Sequence, residues 1–503
     1  MVDSQGNTGT GWGFARTPEG FAASSTFGGT IDSGDGAIAV VGAGFSGTIA
    51  AIQLRRRLPA ARDIYLIERS GQFARGIAYA NSRVAHLLNV RAANMSAFAD
   101  DPGHFERWLE IHAGRWPDEL IRTAAGSFAT RRLYGRYLEA TLHSEIAASG
   151  GTVRLLTEEA RLLEQTPEGG RLVCQDGKSI AVRGVVLATG SLPTNRPCDG
   201  VEFRDPWTPE ALAGLDPLAP VLIVGTGLTM IDLVLALHAQ GFRGPIIALS
   251  RRGLVPQAHA EIGQSWSAPE FPERIHGSAL LLFRAIRAEL HAAAQQNIGW
   301  RAVIDSLRPQ TASLWRGLPA AERARFLRHI RPYWDIHRHR MAPPAAELIN
   351  RLRANGTLRI LRGRVREVQP GPGKALATVQ YDACPTGKRG SLAVQRVIYA
   401  TGLQGVRDSG GLVAALLASG QARLDGQELG LDVTQTLNLI DGNGKVARNL
   451  WALGPIVRGT FWECLAVPDI RLQADQLARE IVVALAGAPR GYAATPKGES
   501  FLL

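Results

Sequence analysis

The residues that say most about chemistry are six in a row, Gly42-Ala43-Gly44-Phe45-Ser46-Gly47. They follow the apolar run Ala37-Ile38-Ala39-Val40-Val41 and open a helical pattern from Ser46 to Arg57. In that setting each glycine has a mechanical task. Gly42 makes the tight turn, Gly44 lets the backbone approach a pyrophosphate, and Gly47 lets the helix pack closely on the strand. The first helical residues, Phe45 and Ser46, bring unpaired N–H groups and positive potential to the phosphates. Glu68 comes 21 residues after Gly47, at the end of Ile64-Tyr65-Leu66-Ile67, where a carboxylate accepts hydrogen bonds from a ribose diol. A bare glycine-rich turn would share the six letters but not a strand, a helix and an acid in register with them.

A second turn, Gly225-Thr226-Gly227-Leu228-Thr229-Met230, follows Val221-Leu222-Ile223-Val224. Leu228 and Thr229 open its helix. Met230 stands where a third glycine would, so looser helix–strand packing is expected. The next strand, Ile246–Leu249, ends in Ser250-Arg251-Arg252-Gly253 and carries no acid. An acid there would repel a 2′-phosphate, whereas arginine grips one bidentately, which favours NADPH over NADH. The plainer reading of Arg251 and Arg252 is a solvated loop in an arginine-rich chain. Two turns call for two nucleotides, and the usual pairing is FAD at the first and NAD(P)H at the inserted second. Two apolar strands end in Ala188-Thr189-Gly190 and Ala400-Thr401-Gly402. Such turns serve where a strand crosses between two dinucleotide domains, although each is weak evidence alone.

These motifs require strands and helices in alternation, hence an α/β fold with two Rossmann-like dinucleotide-binding domains and a helical insert. The 503 residues give room for two to four domains. The expected partition is a disordered tail over 1–36, the first part of the FAD-binding domain over 37–205, and the first part of the NADPH-binding domain over 206–260. A helical insert follows over 261–353, then the NADPH domain's return strands over 354–402 and the C-terminal part of the FAD domain over 403–503. The tail lacks an apolar period and is rich in Gly, Ser and Thr.

Hydrophobic residues make up 45% and charged residues 20%, which excludes a disordered chain, a collagen-like repeat and a small disulfide scaffold. The net charge is +11, from 56 Lys+Arg against 45 Asp+Glu. Lysine occurs only at 178, 374, 388, 445 and 497, so 51 of the 56 are arginine, spread among acids. Nucleic-acid binding is the weaker reading of that charge; NADPH, nucleotides or acidic metabolites suit it as well. Cys174, Cys198, Cys384 and Cys464 stand far apart, without C-x-x-C or metal-ligand spacing. This fits a reducing compartment and lacks the redox-active disulfide of flavin disulfide reductases. No charged-then-apolar leader opens the chain. The apolar stretch Val221–Ala239 contains Gly225, Gly227 and Asp232 and is rejected as a membrane span. A cytoplasmic location is expected, with no metal and no membrane partner.

The chain resembles the two-dinucleotide-binding flavoproteins, and within them the FAD-NAD(P)-binding family of bacterial proteins, from about Ala37 to the C-terminal helix. The resemblance rests on Gly76-Ile77-Ala78-Tyr79, Leu87-Leu88-Asn89-Val90, Arg132-Leu133-Tyr134-Gly135-Arg136-Tyr137 and Gly225–Thr229. Ser250-Arg251-Arg252-Gly253-Leu254 and Arg338-His339-Arg340-Met341 add to it. The chain is also similar to class B flavin monooxygenases through Met95-Ser96-Ala97-Phe98-Ala99-Asp100-Asp101-Pro102. In those enzymes this segment follows a flavin-site asparagine. That resemblance implies a flavin contact for Met95 and makes Asn89 the candidate catalytic amide, at a spacing one residue longer. The other reading of Asn89 is a turn cap. An F-x-G-x-x-x-H fingerprint is missing, which speaks against a Baeyer–Villiger enzyme. Leu453-Gly454-Pro455 replaces the Gly-Asp with which many relatives hold the ribityl chain, leaving Gly454 as the candidate backbone contact.

Three further signals remain. A helix beginning at Pro468 would aim its first N–H groups at the flavin's pyrimidine edge, or would be an ordinary surface helix. Trp462-Glu463 either lines the substrate side of the flavin or is a buried tryptophan beside a salt-bridged glutamate. Arg331–Arg340 holds His337 and His339 at an i,i+2 spacing that suits a strand or loop. It reads first as a solvated patch, then as a phosphate or acidic-substrate contact, and last as a metal site. Arg55-Arg56-Arg57 reads as the exposed end of the first helix. The expected function is an NADPH- and FAD-dependent monooxygenase that spends molecular oxygen on a small nitrogen-bearing or heterocyclic substrate. A flavin reductase serving another acceptor and a non-catalytic flavin-binding regulator are the rivals.

Overall fold

The computed structural model describes residues 30–31, 36–80, 86–150, 152–166, 169–190, 200–261, 263–372, 376–402 and 405–486. Two parallel-cored sheets organise them. In the first, the order is Asn438–Ile440, Val446–Ala452, Ser179–Leu187, Ala37–Val41, Ile64–Ile67 and Val153–Leu156. The hairpin Ala160–Gln165 and Gly170–Cys174 attaches to Ser179–Leu187. Every residue of Ala37–Val41 and Ile64–Ile67 is buried, as parallel strands covered on both faces must be. The helix Phe45–Arg55 lies on one side, buried at every position from Phe45 to Leu54.

The second sheet runs Glu202–Phe203, Arg396–Tyr399, Val221–Val224, Ile246–Ser250, Leu358–Gln369, Ala377–Ala383 and Arg389–Val394. Its first five strands pair in parallel, and the last two return antiparallel. The stretch weighed as a membrane span is therefore the strand Val221–Val224 and the helix Leu228–Ala239. Among the described residues no helix is long and apolar enough to cross a membrane. Between Ile246–Ser250 and Leu358–Gln369 the chain leaves the sheet for helices that include Ala279–Gln295, Trp300–Ser306, Thr311–Gly317, Ala320–His329 and Arg331–Arg338.

Three sequence readings are corrected. Thr30–Ile31, placed in a structureless tail, adds a short parallel strand against Ser179 and Ile180; the rest of that tail before Gly36 lies outside the described residues. Arg331–Arg338 is a helix, not a strand or loop. The i,i+2 spacing of the two histidines hid an i,i+4 pair, Tyr333 and His337, on one face. The arginines after the first helix are structural ties. Arg55 donates to the Thr152 hydroxyl (3.0 Å) and the Arg62 carbonyl (3.1 Å), while Arg56 and Arg57 pair with Glu145 and Asp475.

Candidate functional site

The two glycine turns are built alike. The strand Ala37–Val41 lies between Ile64–Ile67 and Ser179–Leu187, and Val221–Val224 lies between Ile246–Ser250 and Arg396–Tyr399. Each neighbour on the second side ends in its Ala-Thr-Gly turn. The Ala188 N–H donates to the Val41 carbonyl (2.8 Å) and the Ala400 N–H to the Val224 carbonyl (2.8 Å). These alanine carbonyls are what the first glycine of each turn meets. A Cβ on Gly42 would stand 2.5 Å from the Ala188 oxygen, and one on Gly225 would overlap the Ala400 oxygen. Both glycines also hold positive φ, +97° and +120°, which side chains disfavour.

The middle glycines differ in kind. Gly44 and Gly227 have ordinary φ of −73° and −82°. A Cβ on Gly44 would reach only an ordinary contact, 3.5 Å from the Gly76 Cα, and one on Gly227 would meet nothing within 4 Å. No backbone angle and no packed atom of the protein calls for glycine at either place. The open side of each glycine would admit a close-approaching group, and the first helical residues, Phe45 and Ser46 or Leu228 and Thr229, stand beside it. Thr189, between Ala188 and Gly190, has a buried hydroxyl with no hydrogen-bond partner among the described residues. The residues present thus fit a dinucleotide at each turn.

At the first turn, Glu68 ends its strand and accepts from the Ala43 N–H through Oε2 (3.1 Å) and from the Ser70 N–H and hydroxyl through Oε1 (3.0 and 2.9 Å). Each carboxylate oxygen accepts more than one bond, so acceptor capacity remains. Gly454 has φ +77° and abuts Ser46, so closely that a Cβ would overlap the serine hydroxyl. Its N–H donates to Gln473 Oε1 (3.1 Å), which ties it to the final helix, Val467–Leu485. Pro468 lies in the first turn of that helix, whose N-terminus has no side-chain cap. Met95 is buried (2% exposed) near it, and Arg471 donates to the Ser96 carbonyl (3.1 Å).

At the second turn a hydroxyl replaces the acid. Ser250 Oγ meets Thr226 Oγ1 (2.9 Å) and accepts from the Gly253 N–H (3.0 Å). Arg252 donates to the Arg328 carbonyl (2.8 Å) and lies over Tyr333, while Arg251 is exposed and forms no ion pair with a described residue. Met230 is fully buried against Val221 and Ile223. Thr401 and Gly402 close the crossing strand, with Gly402 at φ +99°.

Asn89 lies where the two regions meet. Its carbonyl accepts from His259 Nε2–H (2.9 Å), and Arg131 of the first region pairs with the buried Asp232 of the second (3.0 Å). Burial first, then Arg340 and Arg91, push the His259 pKa down to about 4 despite the Asn89 bond, so the ring is neutral. No hydrogen bond from the Asn89 side chain to a described residue is formed.

The segment before the final helix supplies what the sequence did not reveal. Trp462 has φ +56° and ψ −65°, and the Glu463 N–H donates back to the Phe461 carbonyl (2.6 Å), a strained γ-turn. It points Trp462 into the helical insert and Glu463 toward Trp334, whose indole N–H donates to it (2.7 Å), and toward Arg338 (3.6 Å). Burial opposes charge on Glu463, yet His339, Arg338 and Trp334 hold its carboxyl below the ordinary value. Arg308 of the insert pairs with Asp469 in the first turn of the final helix (3.0 Å). Among the described residues no cluster of three metal-ligating side chains forms, so His337 and His339 do not meet partners for a metal.

Residues 39–192 match the model of a protein family described as FAD-NAD(P)-binding. Among curated proteins no sequence matches the chain. Among solved structures it is similar to reduced ornithine hydroxylase from Pseudomonas aeruginosa (TM-score 0.59, 15% identity, 90% of this chain and 99% of that one). L-lysine 6-monooxygenase from Pseudomonas syringae is equally similar (TM-score 0.59, 15% identity, 89% and 99%). So is the ornithine N-hydroxylase of Kutzneria sp. 744 with reduced FAD, NADP+ and L-ornithine (TM-score 0.58, 14% identity, 89% and 98%). At these identities the likeness is one of fold. Residues 39–192 are thus similar to an FAD-NAD(P)-binding domain, and the chain has the two-domain dinucleotide-binding fold of these structures.

Proposed function

We propose that the chain is an NADPH-dependent, FAD-containing monooxygenase of a small nitrogen-bearing or heterocyclic substrate, with FAD on the Gly42–Gly47 turn and NADPH on the Gly225–Met230 turn. The observation that carries this reading is the pair Gly44 and Gly227, each between a buried parallel strand and a helix N-terminus, at places where neither φ nor a packed atom of the chain requires a glycine and a ligand's approach would. Bound FAD would supply acceptance of hydride from NADPH and activation of oxygen. The chain's residues do the rest. The helix N-termini at Phe45 and Leu228 meet the pyrophosphates, the Thr189 hydroxyl finds its partner in the ligand, and Glu68 takes the ribose diol. Arg251 faces the 2′-phosphate. The Asn89 amide, neutral at any working pH, donates and accepts beside the reacting oxygen, and the helical insert keeps water out. One oxygen atom enters the substrate and the other leaves as water, with two electrons from NADPH.

The cysteines count against disulfide reduction. Burial pushes the Cys174 thiol up to about 11 and raises that of Cys464, so neither offers a thiolate near neutral pH. The deciding experiment follows NADPH oxidation by FAD-loaded protein under isotope-labelled oxygen with amines, amino acids and purines. Substrate-dependent turnover that places label in product supports the reading. NADPH consumption whose oxygen ends wholly as hydrogen peroxide with every compound contradicts it.

A further inference from the structure

The helical insert and Trp462 line an open-mouthed cavity of about 470 Å³ that none of the nucleotide-turn residues lines. Packed interiors keep few voids larger than a water, whereas ligand pockets span roughly 300–1,000 Å³. The wall is aromatic and aliphatic, with Trp300, Trp315, Trp462, Phe283 and Phe326 among its residues. Three polar groups of the wall are spent elsewhere. The Trp315 indole N–H donates to the Gly459 carbonyl (2.7 Å), that of Trp334 to Glu463 (2.7 Å), and the Thr311 hydroxyl to the Leu307 carbonyl (3.0 Å). The aromatic faces, which could otherwise hold a cation, already carry guanidinium groups: Arg301 lies over Trp300, Arg323 over Trp315 and Arg458 over Trp462, so a further charged amine would be repelled there.

The rim is different. Arg287 and Tyr333 are the exposed lining residues, and His337 donates from Nδ1 to the Tyr333 carbonyl (2.7 Å), leaving Nε2 free to accept. Ile330, Tyr333, Trp334 and His337 share one stripe of their helical segment and so place the rim and part of the wall together. The cavity also has a link to the flavin side. Trp462, held in its strained turn, forms part of the wall and leads directly into the final helix, and Trp315 grips Gly459 of the same loop.

We propose that this cavity binds an uncharged aromatic ring system carrying at most one polar or anionic group at the rim, where an anionic group meets Arg287 and an N–H or O–H donor meets His337 Nε2. Resting on the monooxygenase reading above, that ring system is the body of the substrate. The class is heteroaromatic, not a diamino acid.

The test uses the FAD-loaded full chain and the fluorescent probe 1-anilinonaphthalene-8-sulfonate, with indole and L-ornithine as competitors. One probe per chain should bind, displaced by indole and not by ornithine. Leu314→Trp, which fills the cavity, should weaken the probe about tenfold or more, with flavin content and melting midpoint as controls of folding. Ile330→Trp fills it from another helix and gives the same reading if Leu314→Trp fails to fold. Arg287→Ala should weaken the anionic probe about threefold to tenfold and leave indole unchanged. Probe affinity untouched by both filling variants, or displacement by ornithine alone, overturns the proposal. If indole displaces the probe as described but labelled oxygen never enters any bound compound, the site stands and the monooxygenase reading fails.

Discussion

Gly47 and Met230 hold the same place in two turns of one design, and they show what each turn gave up. A Cβ on Gly47 would run into the Gly42 carbonyl, so the first helix sits as close to its strand as a bare Cα permits. At the second turn the same place carries a fully buried Met230, whose side chain fills the space against Val221 and Ile223. The strand ends differ in parallel. Glu68 puts a carboxylate under Ala43, and Ser250 puts a hydroxyl under Thr226. One turn is thus negative at its ribose end and the other neutral, with Arg251 beside it. Gly42 and Gly47 in the first turn and Gly225 in the second are required by the fold, whereas Gly44 and Gly227 are not and are the ones proposed to serve a ligand.

The largest effect should come from breaking the first turn's packing. Gly47→Val is expected to cost about 3 kcal/mol or more, enough to lose soluble protein, because backbone must move to admit the side chain. Met230→Ala, in the looser turn, should cost about 2–5 kcal/mol by leaving a cavity, and thermal melts of the two variants compare them.

The strand-end difference is sharpened by Arg251→Ala. Loss of one charge-assisted contact to the 2′-phosphate should cost roughly 1.5–3 kcal/mol, one to two decades in NADPH affinity, with NADH unaffected. Arg252→Ala should cost less, since that guanidinium already donates to the Arg328 carbonyl. Binding titrations with both nucleotides check this, and equal losses would remove Arg251 from the phosphate site.

The junction between the two regions should respond to acid. His259 has a folded pKa of about 4 against an ordinary 6.5. The unfolded chain therefore binds the proton first, and the stability present above pH 6.5 is lost as pH falls toward 4, by up to tenfold in the folding constant per pH unit. Melting curves of wild type and His259→Gln across that window should converge at low pH. A constant gap would mean that His259 does not titrate there.

The smallest effect on the fold belongs to Asn89→Ala. His259 holds the backbone carbonyl, not the amide, so stability should change by no more than about 0.5 kcal/mol. Flavin content and reduction by NADPH should survive, while coupled oxygenation falls and hydrogen peroxide rises. Stopped-flow reduction with a peroxide assay reads this directly.

Much of this organisation is legible in the chain because it is local. A strand, a glycine turn and a helix lie within about twenty residues, and their tasks follow from residue type. The sequence equally announces the helical insert. It does not announce its cavity, since Trp334 and Glu463 are 129 residues apart and Trp315 and Gly459 are 144 apart. The γ-turn at Trp462 has no glycine or asparagine to signal it. Arg55, Arg56 and Arg57 read as solvated because three of their acceptors, Thr152, Glu145 and Asp475, are 97, 89 and 418 residues away. Thr30–Ile31 is too short to show a periodicity, whereas Ile330, Tyr333, Trp334 and His337 do follow a helical period, which the i,i+2 spacing of His337 and His339 conceals.

The central claim is that Gly44 and Gly227 are glycines for two different ligands. Gly44→Val and Gly227→Val, made separately, test it through two readouts, flavin content after purification and reduction of bound flavin by NADPH. Gly44→Val should yield folded, colourless protein. Gly227→Val should yield yellow protein that NADPH reduces slowly, with an affinity weakened by about a hundredfold or more. Full flavin content in Gly44→Val, or unchanged NADPH affinity in Gly227→Val, would contradict the assignment of the two turns.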